Sequence, residues 1–144
     1  MAGHAPEHHG FPLAAASARK PLRGLRVIDA GTMVAAPFAS VLLADFGAEV
    51  IKIEHPNEGD GQHKLDPSKD GVPLWWKSIA RNKRCITLDL GEAQGAEVFK
   101  DLVRERDVVL ENYRPGTFER WGLGYDVLRA IEPRLVMLRI SGFG

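Results

Sequence analysis

LRVIDAGTMVAAPFASVLLADFGAEVIKIE, residues 25–54, changes its periodicity twice, and the order of those changes decides the fold class. The opening LRVIDA reads as a β-strand with Val27 and Ile28 at its core. AAPFASVLLADFG, residues 35–47, reads as a helix. Pro37 fits only a first turn, where its missing N–H is no loss, and Gly47 suits a left-handed C-terminal cap. AEVIKIE, residues 48–54, is a second strand. Strand, helix, strand with short connections is the signature of a parallel pair joined by a crossover helix.

The same alternation continues outward. RCITLDL, residues 84–90, reads as a third strand. EAQGAEVFKDLVRER, residues 92–106, reads as a helix with Ala96, Val98, Phe99, Leu102 and Val103 on its apolar face. DVVLEN (107–112) is a fourth strand, GTFERWG and YDVLRAIEP are short helices, and RLVMLRI (134–140) is a fifth strand. A polar Gly/Pro/Asp/Lys loop separates His55 from Pro73. The fold class is therefore α/β: a Rossmann-like, mostly parallel sheet with helices on both faces. Right-handed crossovers bring the carboxyl ends of the strands to one edge, where such folds bind ligands.

At 144 residues the chain is long enough for one domain with a full core. Lys and Arg total 19, as do Asp and Glu, so the formal charge is zero. That balance argues against bulk electrostatic attraction to nucleic acid or an anionic membrane, and any anion site must be local. The single cysteine, Cys85, excludes an internal disulfide and a Cys-rich zinc site, and suits a reducing cytoplasm. Cys85 itself reads as an inert buried thiol in a strand. The longest mostly apolar run, Met33 to Ala44, is too short to span a bilayer. Residues 1–20 read as a disordered tail: a segment rich in Gly, Ala, Pro and His, with no basic start to mark a signal peptide. Its His4, His8 and His9 are the candidates for a metal, and the reading here is no metal.

The ligand edge collects Asp29 to Val34 after the first strand, Glu54 and His55 after the second, Asp89 to Gly91 after the third, and Asn112, Tyr113 and Arg114 after the fourth. Arg81 to Arg84 fall just before the third strand, at the opposite edge unless the loop folds over. A Rossmann dinucleotide domain is the first reading to test, because Glu54 lies at about the distance for a ribose hydroxyl. Its glycine pattern is missing: the first turn is DAGTMVAAPFAS, with no G-x-G-x-x-G. No P-loop, Ser/His/Asp set or H-E-x-x-H is present either. NAD is left as a runner-up.

Four segments in order, LRGLRVIDAGTMVAAPFASVLLADFGAEVIKIE, RNKRCITLDL, VVLENYRPGTFERWGLGYDVL and EPRLVMLRISGFG, resemble the class III CoA-transferases. That family includes formyl-CoA transferase, carnitine CoA-transferase and α-methylacyl-CoA racemase. The resemblance runs from about Pro21 to Gly144. It implies that coenzyme A, bound as free CoA or acyl-CoA, lies across the strand ends, with a carboxylic acid as second substrate and no metal. By motif, Val34, Ala35, Leu88, Asp89, Leu90 and Gly91 would touch the nucleotide. Asn112, Tyr113, Arg114 and Arg120 would line the same cleft, with Trp121 beside it, and His55 would add a phosphate contact that depends on its protonation. Arg114, held extended before Pro115, is the foremost of these.

Structural readings stand beside the ligand ones. Arg120 is equally suited to capping or to pairing with Glu119 or Asp126, and Trp121 to the core. Arg81, Lys83 and Arg84 serve either the ligand or the fold and dimer, and Asn82 fits a turn. Two positions depart from the family pattern: Val34 stands where some transferases carry glutamine, and Ala36 where relatives often carry glycine. The resemblance implies an aspartate that attacks the thioester. That aspartate, and the His and Asp of the racemase branch, lie beyond Gly144 in the family. Residues 21–144 are thus expected to be an N-terminal CoA-binding domain, incomplete at its C-terminal end and inactive alone. Full-length family members form interlocked homodimers. A racemase-type fragment and a non-catalytic nucleotide-binding module are the alternatives.

Overall fold

A computed structural model describes residues 20–142. The expected tail and its three histidines lie outside them, except for Lys20. Five parallel strands form one sheet: β1 (Arg26–Asp29), β2 (Glu49–Glu54), β5 (Lys83–Thr87), β6 (Val108–Glu111) and β7 (Val136–Arg139). Their spatial order is β5-β2-β1-β6-β7. β1 is central, with Ile28 opposite Ile51 on one side and Val109 on the other.

Strand alternation splits the core into two layers. Val27, Val50 and Leu110 face the helix α1 (Ala35–Asp45). Ile28, Ile51, Ile53 and Val109 face the opposite side, with α3 (Ala93–Val103), α4 (Thr117–Arg120) and α5 (Tyr125–Ile131). Phe99 of α3 and Phe118 of α4 are wholly buried there and meet edge to face, with centroids 6.0 Å apart. Burying each such ring stabilises the fold by roughly 2–3 kcal/mol.

α1 begins as its sequence requires, with Pro37 in the first turn. It ends in a Schellman motif: the Gly47 N–H donates to Ala44 O (2.9 Å) and the Ala48 N–H to Leu43 O (3.0 Å). Gly47 sits at φ +105°, a conformation that favours glycine. The turn delivers the chain directly into β2.

The segment after His55 is more structured than its composition implies. It holds a 3₁₀ turn (Gly61–Lys64), a two-stranded hairpin of β3 (Ser68–Lys69) and β4 (Val72–Pro73), and a short helix α2 (Leu74–Ile79). α2 packs near α1. It supplies a helix in the β2-to-β5 crossover, six residues long and too short to display a helical period in the sequence.

Cys85 corrects an expectation. β5 is an edge strand, and Cys85 is exposed on it. Enough protein still surrounds the sulfur, with Glu54 alongside, for burial first and the Glu54 carboxylate second to push the thiol above its ordinary range. The chain order reverses at β1 and β6, since α1 carries β1 to β2 in one direction while β6 leads to β7 in the other. The crevice above that switch point is where such sheets place ligands.

Candidate functional site

β6 ends in Glu111-Asn112-Tyr113-Arg114, and the four side chains do four different things. Glu111 is buried. Its Oε1 accepts from Arg139 Nε (2.6 Å) and its Oε2 from the Tyr113 N–H (2.7 Å). Asn112 crosses the switch point: the Thr32 N–H donates to its Oδ1 (2.8 Å), and its Nδ2 donates to the Thr32 carbonyl (2.9 Å). Tyr113 joins an aromatic group, with its ring 5.0 Å from Trp121 and 5.8 Å from Phe118. Arg114 is exposed, and its guanidinium has no hydrogen bond or ion pair among the described residues.

A cleft of about 420 Å³ opens over the strand ends. Among the expected contacts it brings together His55, Leu88, Asp89, Leu90, Gly91, Tyr113 and Trp121, and it adds Thr32, Glu54 and Lys64. Tyr113 also lines a neighbouring groove with Ala35, Asn112 and Arg114. Val34 lines neither and is exposed at the start of α1. Arg120 turns away, donating to Thr117 Oγ1 (3.0 Å) rather than pairing with Glu119 or Asp126. Trp121 is both wall and core: it lines the cleft and packs on the inner layer.

Two of the three cleft carboxylates, Asp89 and Glu54, face histidines. His55 Nδ1 accepts from the N–H groups of Asn57 (3.3 Å) and Glu58 (3.2 Å). On the other side of the ring, Nε2 lies 3.2 Å from Asp89 Oδ2. Glu54 meets His63 Nε2 at 2.7 Å, and His63 stacks on Trp76. The same Glu54 Oε2 accepts from the Asp60 N–H (3.3 Å), so this carboxylate holds the loop after β2 as well as lining the cleft.

Beneath α1 lies a set of buried charges. Asp29 Oδ2 accepts from Ser40 (2.6 Å) and from Lys83 Nζ (2.8 Å). Lys83 also donates to Pro37 O (2.7 Å), so this member of the Arg81–Arg84 group serves the fold. Burial lowers the Lys83 ammonium below its ordinary value, and the adjacent Asp29 opposes that shift. Asn82 takes up its turn at φ +60°, with its amide on Asp45 (2.8 Å). Lys52 Nζ lies 2.9 Å from Asp60 Oδ2, both side chains buried. Burial works to raise the Asp60 carboxyl, but Lys52 and the backbone N–H groups of Gln62 and Met33 outweigh it and hold it below its ordinary value. Lys52, Asp60 and Gln62 were not foreseen as part of the site. The available signal was a lysine inside the apolar run VIKI, where a strand buried on both faces tolerates a charge only if it is paired.

Burial pushes the Tyr113 phenol up to about 12, with the negative charges of Asp60 and Glu111 contributing. Among the described residues, no group of three or more His, Cys, Asp or Glu side chains is placed to hold a metal ion. No helix among them is long and apolar enough to cross a membrane.

Residues 22–144 match the sequence model of CoA-transferase family III. The chain is 54% identical over 125 residues to the beta subunit of succinyl-CoA–L-malate CoA-transferase from Chloroflexus aurantiacus, covering 86% of this chain and 31% of that one. It is 37% identical over 126 residues to succinyl-CoA:glutarate CoA-transferase from Homo sapiens, covering 87% and 29%. The crystal structure of a CAIB/BAIF family protein from Brucella suis superposes with a TM-score of 0.81 at 38% identity, covering 87% of this chain and 34% of that one. The chain thus spans about a third of the length of these relatives.

Proposed function

The chain belongs to CoA-transferase family III, and on that premise we propose that residues 21–144 form the CoA-binding domain of an enzyme that moves CoA between an acyl-CoA thioester and a carboxylic acid. The relatives' names favour succinyl-CoA as donor and a dicarboxylic acid as acceptor. The observation that carries the reading is the cleft walled by Tyr113 and Trp121, joined through Tyr113 to a groove that holds the unpaired Arg114. A planar base fits aromatic and backbone walls. Arg114, in the groove beside the cleft, can bond two phosphate oxygens at once, and His55 and Lys64 are the cationic side chains of the cleft itself. Asn112 contributes by shaping the edge, and Arg120 by fixing the turn at Thr117.

In this reading an aspartate carboxylate attacks the thioester carbonyl and the CoA thiolate leaves. The CoA thiolate then attacks the aspartyl carbonyl of this mixed anhydride, releasing the donor carboxylate and leaving an enzyme-bound thioester. The acceptor carboxylate attacks that thioester, and the freed CoA thiolate takes the acceptor's acyl group from the second anhydride and restores the aspartate. This chain's own buried aspartates are poorly suited to that step, because Asp29 and Asp60 are closed into ion pairs. The nucleophile is assigned to sequence beyond these 144 residues, and the task of this domain is to bind and orient CoA. A homodimeric assembly in the cytoplasm is part of the same proposal. The dimer is supported by apolar surface: Val34, Phe38, Leu42 and Phe46 recur every fourth residue and are exposed along α1, as are Val136 and Leu138 on the edge strand β7.

The test is calorimetric titration of the purified chain with CoA, NAD and ATP, repeated on Arg114→Ala. CoA is expected to bind in preference to the other two, and the substitution to weaken it about tenfold or more, the loss of one charge-assisted contact. Equal binding of NAD, or CoA binding indifferent to Arg114, overturns the reading.

A further inference from the structure

We infer that Asp60, with Lys52 as its counter-ion, is a positioning residue that clamps the loop after β1 into the shape the CoA cleft requires; the CoA part of this rests on the function proposed above. The loop contains an unusual backbone. Met33 adopts φ +62°, a left-handed conformation that is unfavourable for a residue with a side chain and persists only when its surroundings enforce it. The enforcing groups come from a segment nearly thirty residues away. Asp60 Oδ1 accepts from the Met33 N–H (3.0 Å), from Thr32 Oγ1 (3.4 Å) and from the Gln62 N–H (3.0 Å). Gln62, wholly buried, returns a hydrogen bond from Nε2 to the Met33 carbonyl. Both polar groups of the Met33 backbone are therefore held by one short turn.

Lys52 completes the arrangement from the sheet. Besides meeting Asp60, its ammonium donates to the carbonyls of Gly31 and Ile53 (3.2 Å to the latter). One buried lysine thus ties β2 to both loops. Gly61 makes room for the clamped side chain, since a Cβ there would lie 2.4 Å from Met33 Sδ. Thr32, Gly59 and Gly61, which flank the clamping groups, all line the cleft, so the clamp lies directly behind its wall.

Stability alone is a poor reason for this pair. A buried ion pair replaced by apolar side chains of similar size is often neutral or stabilising. An apolar pair, however, offers no acceptor to the Met33 N–H. That difference separates positioning from structural support.

Two double variants exploit it. Lys52→Met with Asp60→Asn removes both charges and keeps an acceptor for Met33. Lys52→Met with Asp60→Leu removes the acceptor as well. Both are expected to fold, as read from denaturant midpoints. The asparagine form should bind CoA within about threefold of the parent, and the leucine form about tenfold or more weaker. Hydrogen exchange at the Met33 amide should be slow in the parent and the asparagine form and fast in the leucine form. Slow Met33 exchange in the leucine form, or equal CoA affinity in the two variants of a parent that does bind CoA, overturns the clamp. If the parent binds no CoA while Met33 exchange follows the expected pattern, the CoA reading fails and the clamp on the loop stands.

Discussion

Thr32 and Asn112 bind each other twice across the point where the chain order of the sheet reverses, amide to backbone in both directions at 2.8 and 2.9 Å. Eighty residues separate them in sequence. The pair sets the spacing between the loops that leave β1 and β6, and hence the width of the edge on which the cleft opens. The position reads by resemblance as a ligand contact, and its side chain both makes these scaffold bonds and lines the groove that holds Arg114.

Asn112→Ala removes both bonds and leaves the Thr32 N–H and carbonyl to compete for water in a half-buried place. A loss of about 1–3 kcal/mol in unfolding free energy is expected. Asn112→Asp should also destabilise, because a carboxylate faces the Thr32 carbonyl and cannot donate to it. Urea denaturation of the two variants checks this. An unchanged midpoint for Asn112→Ala would remove Asn112 from the scaffold.

Gly95→Ala tests the seating of α3 on the sheet. A Cβ at Gly95 would lie 1.8 Å from the Asp89 carbonyl oxygen, which is backbone and cannot step aside. The helix must shift away from the strand end, at the upper end of the about 1–3 kcal/mol that overpacking costs. Because Asp89 and Gly91 line the cleft, CoA affinity should fall with stability. Gly142→Ala, with nothing within 4 Å of its Cβ, is the matched control for stability alone, since Gly142 lines the Arg114 groove, and it should leave the thermal midpoint unchanged. Thermal midpoints of the two variants side by side decide the point.

Tyr113 makes the pH prediction. Its folded value of about 12 lies above the ordinary 10 of a phenol, through burial first and neighbouring negative charge second. The folded protein holds that proton more tightly than the unfolded chain does. Its stabilising contribution is therefore complete below pH 10 and lost as the pH rises towards 12. In a Tyr125→Phe background, Tyr113 is the remaining tyrosine. Phenolate absorbance should then stay low through pH 10 and appear only as the pH approaches 12. Half-titration at pH 10 in a folded sample would contradict the buried setting of the ring.

The architecture was legible because it is written in local pattern. Val27-Ile28, the run from Ala35 to Gly47 and the alternation in VIKI each declare their element through neighbours a few residues away, and all appear where expected. α2 escaped because Leu74–Ile79 is too short to display a helical period and follows a stretch of turn residues. The expected site residues are gathered at the strand ends, but not into one set of contacts. His55, Asp89, Gly91, Tyr113 and Trp121 converge on one cleft, Arg114 and Ala35 on the groove beside it, and Arg120 points elsewhere.

From the sequence alone came the α/β class, the order of the elements, the edge at which their carboxyl ends meet and the family resemblance. Each rests on periodicity, turn chemistry or motif order, which are properties of contiguous residues. The tertiary structure alone decided what each polar side chain at that edge is for. Glu111 is committed to Arg139, Asn112 to Thr32, Lys83 to Asp29 and Asp60 to Lys52, while the Arg114 guanidinium has no partner among the described residues. A buried polar group must find a partner wherever the fold brings one. Those partners lie between 8 and 80 residues away, a choice that no local pattern records.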